Sequence, residues 1–246
     1  MRNESSFTPL ISIIIPALKA DIELRRCIDS VRVACPDHRK CEVIVVLPVS
    51  EIDKASLLLP EEYVITEGNP GIYSAMNNGV GASSGRYLYF LGKDDIVLPR
   101  FSKALDLIES NSPDSLFFDV YWGVIGLVKG NPSRWRILRG NICHQGIIYS
   151  REVLLIHGPY LTKMHVRADH LLNIRLLWDR VHSFQVEYIN LPLVWYSGTG
   201  FSSVNTDNTF WHLYPLILQK YVGKWAACLL IAYRKLRILV PLLPDR

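Results

Sequence analysis

A nearly unbroken apolar run, Leu10 to Ile15, is rich in isoleucine and closed by Pro16, the pattern of a strand buried on both faces. Leu24, Cys27, Ile28 and Val31 then recur at helical spacing, with Asp21 placed to cap that helix. "EVIVVL" (Glu42 to Leu47) reads as a second buried strand ended by Pro48, and "EYVITE" (Glu62 to Glu67) as a weaker third. Ile72 to Val80 predicts a short helix and "RYLYFL" (Arg86 to Leu91) a fourth strand. Strand and helix thus alternate, which predicts an α/β fold with an open, mostly parallel, Rossmann-like sheet flanked by helices.

The second half is less regular. "SLFFDVYWGVIGLVKG" (Ser115 to Gly130) predicts one or two strands able to pair as a hairpin, "HQGIIYS" (His144 to Ser150) another strand, and "ADHLLNIRLLWDR" (Ala168 to Arg180) a helix. No internal repeat or low-complexity linker divides the 246 residues. One core over residues 1–210 is expected, followed by a basic, amphipathic helical segment over 211–246.

With 49% hydrophobic and 20% charged residues the chain can bury a substantial core. Its net charge of +4 is concentrated: from Trp211 onward six cations (Lys220, Lys224, Arg234, Lys235, Arg237, Arg246) face one acid, Asp245. A basic excess confined to that segment argues against nucleic acid as a partner of the main body and for a local contact with something anionic. The five cysteines are odd in number and form no C-x-x-C pair, so neither a disulfide framework nor a zinc site is expected, and a reducing cytoplasm is the simplest compartment. The polar start, "MRNESSFTPL", lacks the apolar core of a signal peptide.

Chemistry concentrates in "GIYSAMNNGVGASSGRYLYFLGKDD", Gly71 to Asp95. Gly79, Gly81 and Gly85 spell G-x-G-x-x-x-G, one residue longer than the dinucleotide fingerprint, and they lie between a helix and a strand instead of between a strand and a helix. They read as helix termination and a turn. Asp94 and Asp95 differ: they follow the carboxyl end of a predicted buried strand, where ligands bind in open α/β sheets. Adjacent carboxylates repel unless a cation or solvent relieves them, so they are either a divalent-metal pair completed by phosphates or a solvated turn.

The stretches "ISIIIPALKADIELRRCIDSV", Gly71 to Asp95, "CHQGIIYSREV", "ADHLLNIRLL" and "YSGTGFS" occur in the order seen in family 2 glycosyltransferases of the GT-A fold, and the chain resembles that family over roughly residues 10 to 205. The string Gly71-Ile72-Tyr73-x-Ala75-Met76-Asn77-x-Gly79 is its most specific part, and the similarity is strongest to the bacterial branch that builds surface polysaccharide and lipopolysaccharide. The resemblance implies a nucleotide-sugar donor, a UDP-sugar foremost, a divalent metal (Mn2+ or Mg2+), a saccharide or lipid-linked acceptor, and inversion at the anomeric carbon. It implies Asp95, with Asp94, for the metal, and Asp94 also for the ribose or diphosphate. Lys93 could add charge to the phosphates or be a solvated turn lysine. Pro16 and Ala17 would border the base, Glu67 and Asn77 the donor site, and His144 and Gln145 the donor or acceptor pocket. An inverting transfer needs a general base for the acceptor hydroxyl. Asp169 matches that position, although a helix-start Asp is also a favoured N-cap; His170 beside it reads as structural or acceptor-facing.

The match fails at three points. Leu47, Asn69 and Ser74 stand where the branch carries Asp, and losing one acceptor toward the base would cost about 1 kcal/mol. These departures leave open a degenerate, scaffolding homologue beside the active transferase. A nucleotidyltransferase is less favoured, because "PALKAD" offers no glycine-rich phosphate loop after the first strand. In the last segment, "WAACLLIAY" (Trp225 to Tyr233) is too short to span a bilayer, which takes about 20 apolar residues. With its cations it suits either an interfacial helix on an anionic membrane, on the cytoplasmic face of the inner membrane, or a helix packed on the core.

Overall fold

The computed structural model describes residues 8–37, 39–59, 63–123, 125–198 and 208–239, with side chains up to Arg234. The first half is β1 (Ile11–Pro16), α1 (Ile22–Ala34), β2 (Cys41–Leu47), α2 (Ile52–Leu58), β3 (Tyr63–Thr66), α3 (Ile72–Ala82) and β4 (Tyr87–Phe90). Its four strands are parallel, in the order β3-β2-β1-β4. Strand side chains alternate in direction, and β1 shows the consequence. Ile11, Ile13 and Ile15 enter the core that holds Leu24, Cys27, Ile28 and Val31 of α1, whereas Ile14 enters the opposite core with Tyr73, Ala75 and Met76 of α3. A strand so sandwiched has no solvent face, which is why its sequence shows almost no polar alternation. Asp21 caps α1 as expected, its Oδ1 accepting from the Leu24 N–H at 3.2 Å.

Gly79 does not end its helix. It lies inside α3, where a Cβ would sit 2.4 Å from Cγ2 of Ile14, so its role is to let the helix approach β1. Gly85 meets the Ser12 backbone in the same way.

The second half adds β5 (Ile96–Val97), α4 (Phe101–Asn111), β6 (Ser115–Trp122), β7 (Gly126–Val128), α5 (Arg134–Ile137), β8 (Ile147–Ser150), α6 (Arg151–His157), α7 (Ala168–Leu177), β9 (Val186–Tyr196), α8 (Asn208–Val222) and α9 (Lys224–Leu239). The sheet runs β3-β2-β1-β4-β8-β6-β9-β5, with β7 closing the predicted hairpin on β6. The expectation of a mostly parallel sheet is corrected here: β8 is antiparallel to both β4 and β6, and β5 to β9, so the sheet is mixed. Antiparallel neighbours need no crossover helix, and the regular strand–helix rhythm accordingly stops after β4. The cysteine expectation is corrected at one place, because Cys35, which ends α1, and Cys41, which opens β2, are disulfide-bonded across the short turn between them.

The C-terminal segment is two helices with different exposures. Phe210, Tyr214 and Leu218 of α8 are buried in the core that also holds α7, as is Ala227 of α9. Trp225, Leu229 and Tyr233, four residues apart on one face of α9, are exposed. Among the described residues no helix is long and apolar enough to cross a membrane. The end of the "ILVPLLP" stretch lies outside the described residues.

Candidate active site

The carboxyl ends of the four parallel strands form one edge, where open α/β sheets bind ligands. Pro16 and Ala17 end β1, and the Ala17 N–H bonds the Val46 carbonyl of β2 at 2.9 Å. Glu67 continues β3, its N–H bonding the Leu47 carbonyl at 2.8 Å. Leu47 is fully buried in the core and Ser74 is buried on α3, while Asn69 is exposed.

After β4 the chain turns through Gly92 to Asp95, the Asp95 N–H closing on the Gly92 carbonyl at 3.1 Å. The Asp95 side chain is wholly buried; its Oδ2 accepts from the Gly92 N–H at 3.0 Å and its Oδ1 from the Ser197 N–H at 3.1 Å. The Ser197 hydroxyl donates to Oδ2 of the half-buried Asp94. A Cβ on Gly92 would lie 2.6 Å from Asp95 Oδ2 and 3.1 Å from Asp94 Oδ1, so glycine lets both carboxylates fold over the turn. Burial pushes the Asp95 carboxyl up to about 7, opposed by the Ser197 N–H and reinforced by the negative charge of Asp94. Lys93 turns away from the pair, to Asp21 (2.5 Å) and Glu23 (2.8 Å) at the start of α1.

Two oxygen donors in an over-negative turn suit a hard divalent cation. Among the described residues no group of three or more His, Cys, Asp or Glu could hold a metal ion, so Asp94 and Asp95 do not form a closed metal site with them. The two carboxylates would suit Mn2+ or Mg2+ only with further oxygen ligands.

Asp169 stands in the first turn of α7 with 8% of its surface exposed. Its Oδ1 accepts from the Tyr73 hydroxyl at 2.6 Å and its Oδ2 from the Asn141 amide at 2.5 Å. Burial alone would raise this carboxyl, but the His144 ring and the bonds from Tyr73 and Asn141 hold it below its ordinary value. His144 is buried, stacks on Phe90 with ring centroids 5.1 Å apart, and has Nε2 2.9 Å from the Tyr160 hydroxyl. Burial lowers its pKa, favouring the neutral ring. His170 is turned away, its Nε2 2.6 Å from the Ile137 carbonyl.

Cys143 stands just before the His144–Gly146 turn, and burial, with the negative charges of Asp95 and Asp169, raises its thiol pKa. The Gln145 side chain stabilises charge on Asp95, while the Gln145 backbone carbonyl accepts from the Tyr89 hydroxyl at 2.8 Å. Asn77 is engaged elsewhere: its amide gives and takes a hydrogen bond with the Tyr160 backbone, at 2.9 and 3.0 Å. Sequence reasoning assigned no role to Ser197, Tyr73 or Asn141. The first two lie in quoted family stretches, whereas nothing around Asn141 signals its contact.

The sequence profile described as Glycosyl transferase family 2 matches residues 12–157. A "PGL/p-HBAD biosynthesis glycosyltransferase" of Mycobacterium bovis BCG is 34% identical over 182 residues, 68% of this chain and 69% of the relative. Among solved structures, S. aureus TarS 1-349 in complex with UDP-GlcNAc superposes with a TM-score of 0.68 at 14% identity, over 92% of this chain and 71% of that one. Against the longer TarS chain, this chain spans 43% of its length. The Pyrobaculum calidifontis mannosyltransferase PcManGT, in complex with GDP-Man and Mn2+, gives a TM-score of 0.58 at 14% identity, covering 96% of this chain and 82% of that one. These superpositions show a shared GT-A-like fold.

Proposed function

Because the chain belongs to glycosyl transferase family 2, we propose that it moves a sugar from a UDP-sugar donor to a saccharide or lipid-linked acceptor in cell-surface polysaccharide or lipopolysaccharide synthesis, with inversion at the anomeric carbon. The observation that carries this reading is that the Asp94–Asp95 turn leaves the end of β4 while Asp169 is joined to the same strand through Tyr73, whose ring packs on Tyr160 and that on Phe90 of β4.

In this reading Pro16, Ala17 and Glu67 border the nucleotide at the strand ends, and Asp94 and Asp95 bind its diphosphate through a divalent ion. Such an ion, Mn2+ or Mg2+, supplies positive charge to the departing diphosphate. Asp169 accepts the proton of the acceptor hydroxyl as its oxygen attacks the anomeric carbon, and the carbon–phosphate oxygen bond breaks on the opposite face. Tyr73 and Asn141 aim the base, His144 and Gln145 line the space between, and Asn77 acts from behind by holding the Tyr160 backbone.

Residues 1–210 are the transferase body and 211–246 the segment that meets an anionic membrane, on the cytoplasmic face of the inner membrane. The exposed Trp225, Leu229 and Tyr233 face of α9, flanked by the exposed Lys220 and Lys224, supports that contact. Equal flotation of the full chain and of a truncation before Trp211 on anionic liposomes would remove it.

Calorimetric titration of nucleoside diphosphates with and without Mn2+, into wild type and Asp95→Ala, tests the donor site. Manganese-dependent binding of UDP that the variant loses is expected. Absence of binding by any nucleotide would favour a non-catalytic scaffold of the same machinery, the reading to which Leu47, Asn69 and Ser74 point.

A further inference from the structure

Asp169 stands between two chain neighbours that α8 grips. On one side, Arg167 has a left-handed backbone (φ 74°) at the start of α7, and its guanidinium carbon lies 4.7 Å from the Trp211 ring centroid and 5.9 Å from that of Phe210. On the other, the His170 ring stacks on Phe210 with centroids 4.9 Å apart and planes 23° from parallel. Phe210 is fully buried, and the Arg234 guanidinium of α9 closes over Trp211 at 3.1 Å. Two cations thus lie over the Trp211 ring, Arg167 from the start of α7 and Arg234 from α9.

This arrangement exceeds what packing alone requires. A left-handed non-glycine residue is costly unless its surroundings hold it, and Arg167 is held through its side chain by the aromatic pair. His170 has no hydrogen-bond partner for its buried Nδ1 among the described residues, so one bond to Ile137 and the Phe210 stack fix its ring. Burial keeps that ring neutral, its pKa lowered to about 4, so its hold on Phe210 is by stacking and not by charge. The aromatic side chains that meet both neighbours of Asp169 come from a helix some forty residues later in the chain.

We propose that Trp211, with Phe210 beside it, is a positioning residue for Asp169: it clamps Arg167 and so sets the first turn of α7 in the orientation the base needs. The proposal rests on Asp169 being the base. It makes the C-terminal helices part of the catalytic apparatus, whatever else they contact.

The test uses full-length protein with Mn2+ and whichever sugar of a UDP-sugar panel the wild type hydrolyses fastest, comparing Asp169→Asn, Trp211→Ala and Trp211→Phe. The expected result is a kcat lowered about 10- to 100-fold in Trp211→Ala, the scale of a misplaced catalytic group. The donor KM should stay within about twofold, since donor contacts are untouched. Trp211→Phe, which keeps an aromatic face for Arg167, restores most of kcat. If Trp211→Ala does not fold, Arg167→Gln takes its place, removing the cation without opening a cavity, with the same expected loss. Wild-type kcat in Trp211→Ala or in Arg167→Gln, beside an inert Asp169→Asn, overturns the positioning role alone. So does a Trp211→Phe variant no better than Trp211→Ala, which would indicate bulk packing. An Asp169→Asn variant as fast as wild type, or no turnover of any donor by wild type, defeats the reading of the base and this proposal with it.

Discussion

The Tyr73 hydroxyl donates to Oδ1 of Asp169 across 2.6 Å, tying α3 to α7 over 96 residues of chain. Tyr73 belongs to the glycine-rich string, so that string reaches into the site through its aromatic side chain as well as shaping the helix. The bond also sets how readily Asp169 ionises, because a donor to the charged form lowers the carboxyl pKa.

Tyr73→Phe is therefore expected to raise the Asp169 pKa and to move the acidic limb of the transfer rate profile to higher pH. Losing a buried bond to a charged acceptor should also cost about 2 kcal/mol of stability. The sign of the pH effect follows from linkage. A carboxyl held below its ordinary value of 3.8 in the folded chain stabilises it fully above that value and loses the contribution as pH falls through the folded pKa. Denaturant melts at pH 7 and pH 3 should accordingly show the variant's deficit narrowing at the lower pH.

The two glycines of α3 should respond oppositely to alanine. At Gly79 a Cβ would meet Ile14 of β1 at 2.4 Å, and the strain is expected to cost about 1–3 kcal/mol. At Gly81 nothing lies within 4 Å, so alanine should stabilise by about 1 kcal/mol through helix propensity. Thermal melts of the two variants decide the matter.

Ser197 holds both carboxylates, Asp95 by its N–H and Asp94 by its hydroxyl. Ser197→Ala removes only the second contact and should weaken manganese-dependent UDP binding less than Asp94→Ala does. Gly92→Ala, which pushes a methyl group into both side chains, should abolish it while leaving the melting temperature within a few degrees, since the turn is at the sheet edge. Calorimetry across the three variants gives the order.

Asp179, beyond α7, should dominate part of the acid stability. Burial would raise its carboxyl, but the N–H and imidazole of His182, the N–H of Val181 and the His157 ring bring it down to about 2. Its contribution is complete above 3.8 and disappears as pH falls through about 2. Asp179→Asn should melt below wild type at pH 6, with the gap closing in melts taken down to pH 2.

The sequence by itself determined the first half of the sheet and the carboxylates. A strand buried on both faces is nearly all apolar, so β1, β2 and β4 announce themselves, and acids just past a buried strand end fall at the edge where such sheets bind ligands. Asp169 was singled out by the family resemblance, since a helix-start Asp reads locally as an N-cap as well. Four decisions belonged to the tertiary structure, because each rests on contacts between residues far apart in the chain. They are the mixed strand pairing of the second half, the approach of Gly79 to Ile14, the engagement of Asn77 by Tyr160, and the seating of Phe210 and Trp211 against the neighbours of Asp169. Local pattern records whether a side chain is buried; it does not record against what, and here the partner decides what each buried polar or aromatic side chain holds in place.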